Sequence, residues 1–413
     1  MIAEEYLAGS RLFRRLKNGS HGQLIERYGA RLIDDGFAQR VTFRSLRLIG
    51  DFMKWMASGR FRVADIDEPM VERFLRNRAK KRSIDSGDRP ALKRFLSMLR
   101  DAGVIAPAEP PRITPQHQIF AEFSDYLRRE RGLAAKTIIG HSRVIRSFLA
   151  EVCPAGAKDF GNINHADVVR YVERHARDGS PSSGRVMCWS LRAFLRYLHH
   201  KRLNRISLAD CVPSIRRWKL ANLPTYLSAE QVQKVLDSCD RAPAIGRRDY
   251  AILMMLAKLG LRANEIANLT LDDVDWRSGD MCVRAKGRQR ARMPIPSDVG
   301  AAVVAYLRHA RPKSSCRHLF LRTPAPHVGF ASSSAITMIA KTALERAGIR
   351  GLPHQGAHIF RHSLATGLLK AGATLSEIGQ LLRHQGHDTT RIYAKVDIDT
   401  LRTLSPSWPG GAQ

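Results

Sequence analysis

The first half of the chain repeats itself, and this repeat limits the fold more than any other feature. The stretch "DDGFAQRVTFRSLRLIGDFMKWM" lies over "RERGLAAKTIIGHSRVIRSFLAE", so that Gly36 meets Gly132 and Phe52 meets Phe148. Further on, "DIDEPMVERFLRNRA" lies over "NINHADVVRYVERHA", and "ALKRFLSMLRDAGV" over "SLRAFLRYLHHKRL", which pairs Phe95 with Phe194 and Leu99 with Leu198. Across these blocks the offset drifts only from 96 to 99 residues, and their order is kept. Within each copy the apolar residues recur at spacings of three and four, the signature of helices with one buried face. A short amphipathic helix must bury its stripe against neighbours. Each copy therefore predicts its own small bundle of four or five helices.

Proline-rich punctuation places the boundaries. "APAEPPRITPQ", residues 106–116, breaks helices and reads as a linker between the copies. The expected organisation is a helical domain over 1–105, the linker 106–116, and a second helical domain over 117–205. A basic connector over 206–225, a larger domain over 226–405 and a tail over 406–413 follow. The connector contains Arg216, Arg217 and Lys219, cations suited to a polyanion backbone. Ser228 before "AEQVQKVLDSC" is an N-cap signal for the first helix of the larger domain. That domain reads as mainly helical, with further helices near 298–310, 333–348, 360–371 and 375–383. It also contains one hairpin, "DMCVRAKGRQRARMPIP", turning at Lys286-Gly287-Arg288. The fold class expected is mainly α, with a small hairpin or sheet in an α+β C-terminal domain.

Charge narrows the partner. The chain has 413 residues with 68 Lys+Arg against 38 Asp+Glu, a formal net charge of +30. Such a surplus, spread along a chain that is 44% apolar, points to nucleic acid rather than to a membrane surface. No apolar run is long enough to cross a bilayer, and the first residues lack a signal peptide's apolar centre, which predicts an intracellular protein. Six scattered cysteines with no C-x-x-C pair suit reduced thiols rather than a zinc ribbon or a disulfide framework.

The chemistry concentrates in "GAHIFRHSLATGLLKAGATLSEIGQLLRHQGHDTTRIYAKVD", residues 356–397. His358 and His362 lie four apart, and His384 and His387 three apart, spacings that could hold zinc. No Cys, Asp or Glu sits at ligand spacing beside them, H-E-x-x-H is absent, and Arg361 and Arg383 would repel a dication. Phosphate chemistry without metal fits these residue types better. Arginine forks neutralise phosphate oxygens, histidines bond or move protons, a tyrosine can be a covalent nucleophile, and a lysine at a hairpin tip can be an acid.

Taken in order, these residues resemble the tyrosine recombinase (phage integrase) family of mobile elements. "KLGLRANEIANLTLDDVDW" is similar to the family's first arginine box, with Arg262 and, three residues on, Glu265. "RAKGRQRARMPIP" resembles its β-hairpin lysine motif, giving Lys286, and "HIFRHSLATGLLKAG" its H-x-x-R-H box, giving His358, Arg361 and His362. "LLRHQGHDTTRIYAKV" resembles the end of the domain, with His384 at the second His/Trp position and Tyr393 nine residues later. One departure is Arg383, where the family usually has glycine.

The resemblance implies two SAM-like helical DNA-binding domains, the first of them an addition to the minimal plan, and a catalytic domain after them. It implies that Tyr393 attacks a DNA phosphate to form a 3′-phosphotyrosyl link. Arg262, Arg361 and His384 would bind the phosphate oxygens, Lys286 would protonate the leaving 5′-oxygen, and His358 would assist proton transfer around the tyrosine step. Glu265 and His362 would support them, and Arg216, Arg217, Lys219 and Arg288 would contact DNA. The bond energy stays in the covalent link, so neither metal nor ATP nor any other cofactor is expected. The expected partners are double-stranded DNA and further recombinase protomers, identical or related, in a tetrameric synapse in the bacterial cytoplasm at the nucleoid. Site-specific recombination for integration or transposition is the function implied. Topoisomerase-like relaxation and a catalytically silent DNA-binding regulator are its alternatives.

Overall fold

The computed structural model describes residues 21–80, 82–107, 114–153, 160–177, 179–215, 224–284, 290–353, 355–384 and 390–396. The chain divides into two compact units. One comprises Met1–Pro107 with Asn222–Gln413, and the other is Ala108–Ala221.

The N-terminal part of the first unit contains α1 (Gly22–Asp34), α2 (Gln39–Ser58), α3 (Glu68–Ala79) and α4 (Asp88–Asp101). Side chains at helix starts set these boundaries. Asp67 accepts the Met70 N–H at 2.8 Å, and a proline follows in the first turn of α3, where its missing N–H costs nothing. The apolar stripes meet in one core around Tyr28, Leu46, Ile49, Phe52, Leu92, Phe95 and Leu99. The Tyr28 hydroxyl donates to the Ala91 carbonyl at 2.8 Å, so this core leaves its phenol satisfied. Contact with the C-terminal part runs through the α1–α2 turn. The His327 N–H donates to the Asp35 carbonyl at 3.2 Å, and a side chain at Gly36 would overlap the His327 ring.

The second unit is built from α5 (Pro115–Arg129), α6 (Ala135–Val152), α7 (His165–Arg177) and α8 (Pro181–His200). Thr114 and Ser180 cap α5 and α8. Among the described residues each copy of the repeat thus has four helices, and their equivalent positions behave alike. Gly36 and Gly132 both adopt positive φ, at +82° and +62°. Gly103 and Arg202, which follow the two fourth helices, do the same at +68° and +57°. Phe52 and Phe148, Phe95 and Phe194, and Leu99 and Leu198 are all fully buried.

Part of the expected connector over 206–225 belongs to this second core. Leu208, Ala209 and Val212 are buried in it, and Arg192 Nη2 donates to the carbonyls of Val212 and Pro213 at 2.9 and 3.2 Å. Isolated aliphatic residues without a helical period gave no sign of this, yet their apolar area is enough to dock them. Arg216, Arg217 and Lys219 lie outside the described residues.

The C-terminal part starts with α9 (Ala229–Asp237) and α10 (Ala244–Leu259). Residues Ala251 to Leu256 of α10 are all buried, as expected of a helix that is apolar on every side. Next come α11 (Ala263–Ala267) and three antiparallel strands, β1 (Val274–Asp275), β2 (Asp280–Arg284) and β3 (Arg290–Pro294), in the order β1-β2-β3. Met281, Val283 and Met293 turn into the core, and Arg284, Arg290 and Arg292 face out. The hairpin tip with Lys286 and Arg288 lies outside the described residues. Four more helices follow among the described residues: α12 (Ser297–His309), α13 (Ser334–Arg346), α14 (Ala357–Lys370) and α15 (Leu375–Leu381). A 3-10 turn follows at Tyr393–Val396.

Gly260 ends α10 at φ +57°, ψ +28°, a left-handed conformation that costs glycine little. A Cβ there would lie 2.7 Å from Leu382 Cδ2 and 3.0 Å from Leu364 Cδ2. Gly260→Ala should therefore lower stability by about 1–3 kcal/mol. The readout is a lower urea midpoint at unchanged slope. An unchanged midpoint would mean that both leucines move aside freely.

Candidate active site

Two helix ends and one helix start converge on a buried carboxylate. Arg262 occupies the N-cap position of α11, where its own N–H donates to Glu265 Oε2 at 2.9 Å and its Nη1 to Oε1 at 2.8 Å. The Glu265 side chain is only 3% exposed, whereas that of Arg262 is 28% exposed. A second guanidinium reaches the same carboxylate: Arg383 Nη2 donates to Glu265 Oε2 at 3.1 Å. Glu265 therefore both caps the helix and holds basic neighbours.

Arg361, one turn into α14, is buried. Its Nη1 donates to the Gly260 carbonyl at 2.6 Å and its Nη2 to the Leu382 carbonyl. These carbonyls stand at the C-terminal ends of α10 and α15, where helices carry unsatisfied acceptors and partial negative charge. Burial pushes the guanidinium down to about 10, aided by Arg262 and Arg383 and opposed by Glu265, so Arg361 stays charged at neutral pH.

Tyr393 packs beside this group, 1% exposed, in a small cluster with Ala365, Ile378 and Leu382. Its hydroxyl lies 3.0 Å from His362 Nδ1. Burial raises the phenol above its ordinary value, and the charges of Arg361 and Arg262 oppose that shift. The His384 ring stacks on Tyr393 with centroids 6.3 Å apart, and its Nδ1 is held by Thr390 Oγ1 at 2.7 Å. Burial, then Arg361, Arg262, Arg383 and His362, pull His384 down to about 4, leaving a neutral imidazole at pH 7. His358 reaches solvent and makes no hydrogen bond to any described residue. Desolvation, then Arg361 and Arg262, hold it below the ordinary histidine range.

The fold thus brings together Arg262, Glu265, Arg361, His362, His384 and Tyr393, with His358 at the rim. The tyrosine contact belongs to His362 and not to His358, because Tyr393 approaches α14 one turn further along. Lys286, Arg288 and His387 lie outside the described residues. Two participants were missed in the sequence: Thr390, which orients His384, and Arg383. The signal for Arg383 was its place where glycine was expected. It adopts that glycine-favouring conformation, at φ +55°, and its side chain is 10% exposed. Its Nε has no partner among the described residues.

The histidine shifts have a consequence for stability. A histidine held near 4 in the folded chain, but near its ordinary value when unfolded, binds more protons unfolded between those limits. Stability contributed by neutral His384 is therefore present above about pH 6.5 and lost as pH falls towards 4. His384→Asn should flatten part of that decline in urea titrations at pH 7 and pH 5. An unchanged pH dependence would mean that His384 is not held neutral by this site.

Residues 225–399 match the phage integrase family, and residues 120–221 match the phage integrase N-terminal SAM-like domain. A protein of Sinorhizobium fredii called integrase/recombinase y4rA is 36% identical over 386 residues, covering 92% of this chain and 93% of its own. The tyrosine recombinase XerD of Listeria monocytogenes is 29% identical over 68% of this chain and 94% of its own. Among solved structures, the XerH site-specific recombinase, crystallised with a palindromic difH substrate, has a TM-score of 0.53 at 19% identity. It covers 70% of this chain and 84% of its own. The lambda integrase dimer on a COC′ core site has a TM-score of 0.50 at 14% identity, over 67% and 94%. These two likenesses are of fold. With the near full-length similarity to y4rA and both matched domains in order, the chain belongs to the phage integrase family, the tyrosine recombinases.

Proposed function

We propose that this protein is a site-specific DNA recombinase that breaks and rejoins DNA through a 3′-phosphotyrosyl intermediate, in the integration or transposition of a mobile element. The observation that carries this reading is a single tyrosine hydroxyl bonded to a histidine within the field of two arginines, Arg361 and Arg262. Tyr393 Oη attacks the scissile phosphorus, the P–O5′ bond breaks, and a phosphotyrosyl ester and a free 5′-hydroxyl result. His362, in the tautomer that accepts at Nδ1, takes the phenolic proton. Arg262 and Arg361 stabilise charge on the non-bridging oxygens as it grows, and neutral His384 adds a hydrogen bond without adding charge. Lys286 supplies the proton to the leaving oxygen. His358, at the rim and partly open to solvent, assists proton movement on the DNA side.

Tyr393 is shielded from solvent, so attack requires the 390–396 segment to lift away from Ala365, Ile378 and Leu382. The raised phenol fits a resting state in which the nucleophile stays protonated until a phosphate arrives. Reaction then depends on DNA binding, which supplies the missing partner for the arginines.

Double-stranded DNA is the substrate. Arg216, Arg217, Lys219 and Arg288 add contacts to its backbone, and protomers, identical or related, assemble on two sites as a tetrameric synapse. The work is done in the bacterial cytoplasm at the nucleoid. No helix among the described residues is long and apolar enough to cross a membrane. Residues 1–105 form an additional helical domain that duplicates the core-binding domain, since equivalent residues are buried and equivalent turns share positive φ.

Covalent trapping on a nicked suicide site tests the chemistry. Tyr393→Phe should abolish the protein–DNA adduct while duplex affinity stays within about twofold, since only one oxygen is lost. Adduct at the wild-type level would remove Tyr393 from the nucleophile's role. Adduct formation should also persist in EDTA, because arginine charge takes the place of a metal ion. Loss of adduct that only a divalent cation restores would overturn that account.

A further inference from the structure

The first helical module carries a cleft that neither matched domain covers. Trp55, Phe61, Arg73, Arg76, Asn77 and Lys80 line it, and its volume is about 700 Å³. Positions 73, 76, 77 and 80 fall on one side of α3 and its end, at helical spacing. Arg73, Arg76 and Lys80 have no carboxylate partner among the described residues. Arg73 instead lies over the Phe61 ring, 5.4 Å from its centroid. Trp55 sits among Phe52, Phe61 and Phe74 at 5.6–6.2 Å, so aromatic surface forms the floor.

The second copy shows what this region looks like when it is neutralised. Trp55 corresponds to Glu151 at the offset that pairs Phe52 with Phe148, and Met70 corresponds to Asp167 at the offset that pairs Val71 with Val168. Glu151 accepts from Arg174 Nη1 at 3.1 Å and lies 2.5 Å from His175 Nε2. Asp167 lies 3.7 Å from Arg170, the counterpart of Arg73. In the first copy apolar residues stand at both acid positions, and Arg73 keeps the place of Arg170. Asn77 and Arg78 stand where Arg174 and His175 do, and Arg78 turns to Asp51 at 2.9 Å, away from the cleft's other cations. Cations without counter-charge beside an aromatic floor attract a polyanion that also offers flat rings.

From this we infer that the first module holds a binding site for single-stranded DNA. Arg73, Arg76 and Lys80 contact successive phosphates, and a base stacks against Trp55 and Phe61. A duplex would satisfy the cations but keeps its base faces hidden, so the aromatic floor selects an unpaired strand. This site is separate from the tyrosine centre and does not depend on its chemistry.

The test uses the full-length protein and a fluorescein-labelled oligothymidylate of about 12 nucleotides, with anisotropy titrations at several salt concentrations. The triple variant R73Q/R76Q/K80Q should bind at least about tenfold more weakly, and its log–log salt slope should be shallower by roughly 2, since each single-strand phosphate contact contributes about 0.7. Trp55→Leu should weaken binding by roughly tenfold at unchanged slope, and Trp55→Phe should recover most of that loss. If Trp55→Leu lowers the melting temperature, the Phe variant and the triple variant decide the matter. Unchanged oligothymidylate affinity in the triple variant would overturn the inference. So would a triple variant that loses only duplex affinity while Trp55→Phe and Trp55→Leu bind alike. Adduct trapping on the suicide site should be unaffected in all three variants. A wild-type protein that formed no adduct, yet showed this binding pattern, would sink the recombinase chemistry and leave the single-strand site standing.

Discussion

The candidate site depends on the carboxylate of Glu265. Two guanidiniums converge on it, and a third, Arg361, adds its field at short range. Three like charges in a partly desolvated space repel one another, and one buried anion between two of them offsets much of that repulsion. The same carboxylate caps α11 through the Arg262 N–H, so the charge balance and the backbone at Arg262 are set by one group. What remains is a surplus of positive charge with Arg262 open to solvent, the arrangement that a phosphate would complete.

Helix ends supply the rest of the framework. Arg361 is held by carbonyls at the C-terminal ends of α10 and α15, which ties three helices to one side chain. α15 in turn presents Ile378 and Leu382 to Tyr393, so the nucleophile's seat and the arginine's anchor are parts of the same packing. Lifting Tyr393 from that seat need not disturb Arg361, because the arginine bonds to backbone carbonyls and not to the tyrosine side chain. A protected tyrosine and a preset phosphate site can therefore coexist.

The two helical modules show how one pattern carries different surfaces. Their cores agree residue by residue at Phe52 and Phe148, Phe95 and Phe194, and Leu99 and Leu198, because core volume leaves little freedom. Their outer faces have diverged. Acids at Glu151 and Asp167 balance cations in one, and in the other Trp55 and Met70 stand at those places beside a cleft lined by Arg73, Arg76 and Lys80. Surface changes of this kind are tolerated by the fold, and they are where a copy can take on a separate task.

From sequence alone came the two bundles and the order Arg262, His358, Arg361, His384, Tyr393, since periodicity and residue type are local properties of the chain. The start of α14 at Ala357 and the packing of Leu208 and Val212 were less legible, because they answer to neighbours distant in sequence. Which histidine meets Tyr393 was decided only in three dimensions. His358 and His362 are equally plausible by type, and the choice follows from where the 390–396 segment crosses α14. Arg383 is the clearest case of a tertiary decision. In sequence it stood as an irregular residue at a turn, and its partner Glu265 lies 118 residues away. Only folding brings them together, because the energy of a buried ion pair depends on distance and dielectric, and neither is written along the chain.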